Sequence, residues 1–133
     1  MKQHITSKQL KELNFEEIDV LIHMTKTKLI SIPNNKKKWE EALNTNRKLT
    51  EYHSFIKELN IGKLIEILRN NVVIMEIKND YGNENDIPYE WWIVKYNYRG
   101  NKIKHISKKL IDALWEAVKN MILENLSCGK KLI

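Results

Sequence analysis

Trp91-Trp92-Ile93-Val94-Lys95-Tyr96-Asn97-Tyr98 leads into Arg99-Gly100-Asn101, then into Ile103 to Ile106, and then into a long amphipathic segment opening at Ser107. Aromatic and β-branched residues dominate 91–98, the composition of a pleated, half-buried strand, and Gly100-Asn101 suits a tight hairpin. On a wheel of about 100° per residue, Leu110, Ile111, Leu114, Ala117, Val118, Met121 and Ile122 share one arc. Lys109, Asp112, Glu116, Lys119 and Asn120 share the other. A helix divided in this way must lay its apolar arc on another element, and the adjoining strands are the nearest surface. Leu123 falls inside the polar arc, which makes it a candidate partner contact.

Upstream, Val72-Val73-Ile74-Met75-Glu76-Ile77 predicts another strand, and the Asn-, Asp- and Gly-rich stretch from Asn79 to Pro88 predicts a turn-rich connection to Trp91. Three strands in sequence with short connections favour an antiparallel meander. Further towards the N-terminus, Thr6-Ser7-Lys8-Gln9 has the spacing of a capping box and starts a helix over about 7–13. Asn14 starts a second over about 15–28, with Phe15, Ile18, Leu21 and Ile22 on one face. Ser31 to Asn35 breaks it, and Lys36 to Leu43 restarts from an Asn cap. Tyr52, Phe55, Ile56 and Leu59, then Ile61, Leu64, Ile65 and Leu68, make two short helices joined near Asn60. The expected fold is α+β: a three-stranded antiparallel sheet packed by a long C-terminal helix and preceded by several short helices. A single domain is expected over 1–133, its helical part about 6–70, sheet plus C-terminal helix about 72–126, and tail 127–133.

A chain of 133 residues supports one hydrophobic core. No apolar run approaches the ~18 residues of a membrane span, and the opening residues lack a secretory segment, so a cytoplasmic protein without membrane contact is expected. Cys128 is the single cysteine, which rules out an internal disulfide. Net charge is +6, from 23 basic and 17 acidic residues, and invites an anionic partner. Arginine, however, stands only at 47, 69 and 99, and base-edge readout favours its planar fork over lysine.

Alternation along 91–98 turns Trp92, Val94, Tyr96 and Tyr98 to one face, the expected core, and Trp91, Ile93, Lys95 and Asn97 to the other. The N-terminal helices are expected to cover Trp91 and Ile93; left bare, the two would form an apolar patch beside a basic edge. Between Trp91 and Ile111 there is no acid, while Lys95, Arg99, Lys102, Lys104, Lys108 and Lys109 all lie there, with His105. These six cations and Trp91 are the candidate partner-binding set. The competing explanation is an edge strand guarded by lysine against unwanted pairing. Asp80, Glu84, Asp86 and Glu90 in the preceding connection are placed to neutralise the segment, but their spacing fails the EF-hand pattern.

Chemistry-bearing motifs are otherwise absent. His4, His23, His53 and His105 are scattered, Cys128 lies in the expected tail, and the four glycines are too far apart for a phosphate loop. The expectation is therefore no enzyme, no cofactor and no metal, with a site built on His23, His53 or His105 as the remote alternative.

Asn60-Ile61-Gly62-Lys63-Leu64-Ile65-Glu66-Ile67-Leu68 and Leu110-Ile111-Asp112-Ala113-Leu114-Trp115-Glu116-Ala117-Val118-Lys119 resemble small uncharacterised phage and prophage proteins of low-GC Gram-positive bacteria. With the strands between, the likeness covers about 57–123. The resemblance implies a mobile-element origin and carries over no catalytic residue. It points to a binder of a host protein or ribonucleoprotein, of the kind that inhibits a host defence system as anti-CRISPR proteins do. The alternative is an accessory protein binding DNA or RNA through the basic hairpin 95–109. Leu123, Trp91 and the hairpin edge each offer a route to a homodimer.

Overall fold

The computed structural model describes residues 4–24, 36–43, 53–72, 74–84 and 87–132. Chain order is α1 (Ser7–Leu10), α2 (Phe15–Met24), α3 (Lys36–Leu43), α4 (His53–Glu58), α5 (Ile61–Asn71), β1 (Ile74–Glu84), β2 (Ile87–Tyr98), β3 (Asn101–Ser107) and α6 (Leu110–Leu132). This is the α+β architecture the sequence predicts. The break expected at Ser31 to Asn35 lies outside the described residues.

The first two helices are set by reciprocal caps. Thr6 Oγ1 accepts from the Gln9 amide at 3.1 Å while Gln9 Oε1 accepts from the Thr6 amide at 2.9 Å. Asn14 and Glu17 repeat the device, each side chain accepting from the other's amide at 2.8 Å. A second cap so close behind the first obliges the chain to leave the helix, so α1 ends at Leu10 instead of about residue 13. Trp39, fully buried, donates its indole N–H to the Leu13 carbonyl at 3.1 Å and seats α3 on the α1–α2 turn. Asn60 caps α5 by accepting from the Lys63 amide. The Ile5 amide, bonded to the Leu59 carbonyl, ties the N-terminal segment to the α4–α5 junction.

The sheet is a meander of order β1-β2-β3, antiparallel throughout. Its hairpin turn is Arg99-Gly100, one residue before the expected pair, with Tyr98 opposite Asn101. Both turn residues have positive φ, 53° and 81°, the backbone a two-residue turn needs to match the strands' twist. Glycine adopts this freely; Arg99 does so with its guanidinium 5.3 Å from the centre of the Tyr98 ring.

The stretch Asn79 to Pro88, expected to be a loop, is mostly strand. β1 runs to Glu84 and β2 begins at Ile87, with Asp80 opposite Trp91 and Gly82 opposite Tyr89. Turn-favouring residues form strand here because their inward-facing backbone groups pair along a continuous antiparallel ladder, which overrides weak local preference. The result is a two-stranded ribbon that continues past the end of β3, whose pairing stops at Trp92 and Ser107.

Against the inner face of the sheet lies α6, with α2 and α5 packed on its other side. Ile111, Leu114, Ala117, Val118, Met121 and Ile122 are buried as expected, and Ala113 and Trp115 are buried too. The buried arc is therefore wider than the wheel implies, because α6 is the middle layer and meets neighbours on two sides. Val94, Tyr96 and Tyr98 join this core as alternation predicts, while Trp92, level with the end of β3, is half-buried. The backbone stays helical through Leu132, so residues 127–132 continue α6 where a tail was expected. One glycine, Gly129, costs a helix only about 1 kcal/mol relative to alanine, and no proline intervenes.

Candidate functional site

Strand register arranges the outer face of the sheet in rows. Asp80 lies beside Trp91; Lys78, Ile93 and Ile106 form the next row; Glu76, Lys95 and Lys104 the next; and Asn97 and Lys102 stand side by side beyond them. Lys78, Lys95, Lys102 and Lys104 are exposed, and Ile106 keeps 50 % of its surface in water. A shallow depression of about 400 Å³ lies across Glu76, Lys95, Asn97, Lys102 and Lys104.

Coverage of this face by the N-terminal helices, expected from the sequence, is not found among the described residues. The helices that pack substantially on the sheet are α6, on β2 and β3, and α5, on β1. Buried Val94, Tyr96 and Tyr98 satisfy α6 from the inner side, leaving Trp91 and Ile93 half-buried on the outer one. The helices are committed to α6, whose second apolar side is closer to them than the far side of the sheet.

Charge on the outer face is unbalanced. Among the described residues, none of Lys78, Lys95, Lys102, Lys104, Lys108 and Lys109 lies within ion-pair distance of a carboxylate, whereas Lys63 pairs with Glu66, and Lys119 with Glu12 and Glu116, elsewhere on the molecule. Lys95 and Lys104 are direct cross-strand partners. Directly opposed like charges repel, so this pair is a local cost that only Glu76, on the other flank of Lys95, relieves.

The seven residues singled out by sequence do not form one cluster. Lys95, Lys102 and Lys104 share the outer face. Arg99 is in the hairpin turn against Tyr98, while Lys108 and Lys109 follow β3 at its opposite end, a separation of about 20 Å at about 3.3 Å per residue. Continuing the register by one residue sets Lys108 level with Trp91. Lys78, one row from the opposed lysines, belongs with the group and escaped notice because it precedes the acid-free stretch.

Sequence reasoning also missed a polar network on the inner side. Tyr96 Oη accepts from Asn120 Nδ2 and shares a hydrogen bond with His105 Nε2, both at 3.0 Å, and the Tyr96 and His105 rings stack at 5.7 Å. Nearby, Lys119 bridges Glu116 at 2.9 Å and Glu12 at 3.2 Å, and Trp115 donates its indole N–H to the same Glu12 oxygen at 2.9 Å. A cleft of about 300 Å³ runs between Glu17, His105, Lys119 and Leu123, which is 55 % exposed. Burial pulls the Lys119 ammonium down, but Glu116 and Glu12 together raise it above its ordinary value. Glu12 and Lys119 are 107 positions apart, and only the fold brings them together.

His105 is therefore an inner-face residue and not part of the basic surface. Burial lowers its pKa below 6.5, partly offset by Glu116. The unfolded chain then takes up this proton first as pH falls, so stability present above pH 6.5 declines through that point until the folded imidazole also protonates. Urea titrations at pH 7.5 and 5.5 should show a smaller acid-induced drop in the midpoint for His105→Gln than for the parent chain. Equal drops would assign the loss to other groups.

Among the described residues, no three His, Cys, Asp or Glu side chains converge as metal ligands, and no helix is long and apolar enough to cross a membrane. No family model, curated protein or solved structure matches the chain.

Proposed function

We propose that this protein acts by binding and not by catalysis. Its outer sheet face docks an anionic host macromolecule, a protein or ribonucleoprotein, as a phage-encoded inhibitor of a host defence system would. One observation carries this: exposed Lys78, Lys95, Lys102 and Lys104 share a sheet face with exposed Ile106 and half-buried Ile93 and Trp91, and among the described residues no helix covers that face and no carboxylate lies in pairing distance of these lysines. Lysines serving only to guard an edge would be needed on β3, yet Lys95 stands on the central strand. A partner bearing negative charge relieves the repulsion between Lys95 and Lys104 and gains from long-range steering. The phage setting is supported by the resemblance of residues 60–68 and 110–119. An inhibitor of the anti-CRISPR kind requires shape and charge complementary to its target, and no reacting group.

The test is affinity purification of a defined defence ribonucleoprotein on the immobilised protein. A stoichiometric complex is expected that loses affinity by about tenfold or more in Lys95→Glu with Lys104→Glu, because each charge-reversed side chain then repels the partner. Phage plating on a defence-bearing host should recover with the parent protein and not with the variant. Undiminished binding and plating by the variant would remove the outer face from the function.

A further inference from the structure

Building on the reading of the outer face as the docking surface, we infer that the chemistry it recognises is single-stranded nucleic acid, held with little sequence preference. The face mixes two kinds of group in alternation: exposed ammonium groups at Lys78, Lys95, Lys102 and Lys104, and apolar surface at Ile93, Ile106 and Trp91. A single strand is divided in the same way, with charged phosphates on one edge and unpaired bases with bare π-faces on the other. A carboxylate-rich peptide matches the ammonium groups but offers little to the isoleucines and the indole.

Spacing agrees. Lys102 and Lys104 are two residues apart on β3, about 6.6 Å, and Lys104 is one strand from Lys95, about 4.8 Å. These steps are short enough for neighbouring lysines to meet successive phosphates of an extended strand. From Trp91 to Asn97 the face runs about 20 Å along β2, room for several nucleotides, and among the described residues no helix stands across it. Lysine ammonium groups act as point charges and accept phosphates from many directions, so no single backbone geometry is required.

A duplex fits less well. Reading a groove needs an inserted helix or ribbon, and the ribbon that projects past β3 carries Asp80 and Glu90, which repel phosphates. Base edges are read best by arginine, yet Arg99, at the end of this sheet, lies in the turn over Tyr98. The expected mode is therefore electrostatic attachment with stacking, tolerant of sequence.

Fluorescence anisotropy of the full chain with labelled oligothymidylate, the matching duplex and polyglutamate decides the matter. The single strand should bind most tightly and weaken steeply with salt. Lys102→Gln should reduce the slope of log affinity against log salt by about one. Trp91→Phe should weaken binding and leave that slope unchanged, since stacking releases no counterions. Circular dichroism confirms that each variant is folded; Lys102 is exposed, and phenylalanine keeps an aromatic ring at half-buried Trp91. Duplex bound as tightly as single strand would overturn the inference, as would no single-strand binding at low salt. If polyglutamate instead binds and Lys95→Glu with Lys104→Glu abolishes that binding, the inference fails while the docking surface stands. If no probe and no ribonucleoprotein responds to the charge reversals, both fail.

Discussion

Trp115→Ala should lose about 3–5 kcal/mol of folding stability, the usual range for a buried tryptophan reduced to alanine and a large share of the total for a domain of this size. The indole is fully buried on α6, and its N–H reaches Glu12 in the α1–α2 turn, which also holds Lys119. Truncation opens a cavity in the middle layer and removes one donor from a carboxylate that joins two layers. Trp115→Phe separates the effects: most of the volume remains, and loss of one hydrogen bond to a charged group should cost about 1.5–3 kcal/mol. Urea denaturation with linear extrapolation gives both values. An alanine variant within about 1 kcal/mol of the parent would contradict the position of α6 between sheet and helices.

Val94→Asp should abolish cooperative folding at neutral pH, while its neighbour Ile93→Asp should fold. Val94 is fully buried on the central strand, opposite Ile77 on one side and His105 on the other. A carboxylate there faces Ile77 on one side and, on the other, an imidazole whose burial favours the neutral form, so it must stay charged in an apolar layer or take up a proton, at a cost of several kcal/mol either way. Ile93 is one residue away but projects to the opposite face, half-exposed beside Lys78 and Ile106, where a carboxylate keeps its water. Circular dichroism and thermal melts of the two variants check which side of β2 is interior. The reverse outcome would place the core on the wrong face and take the proposed docking surface with it.

Local chemistry made much of this fold legible. Thr6 and Gln9 are three apart, and that spacing alone specifies the cap now seen in both directions. Alternation along 91–98 sorted Val94, Tyr96 and Tyr98 into the core because a strand's side chains have only two directions to take. What stayed hidden depends on partners far along the chain. Asn79 to Pro88 reads as loop by composition and becomes strand through pairing across the ribbon. Trp115, assigned to neither arc of the wheel, has its acceptor in Glu12, 103 positions away. Clustering in sequence gave no face to the basic residues: strand geometry sets Lys95, Lys102 and Lys104 on one side together with Lys78, sends Lys108 and Lys109 to the far end and turns His105 inward.

Because α6 draws the helices to one side of the sheet, positions 78, 95, 102, 104 and 106 contribute little to what keeps the chain folded. Such a frame separates durability from surface chemistry. A laboratory library randomised at these five places should yield mostly well-folded proteins, which thermal melts of the pooled variants check.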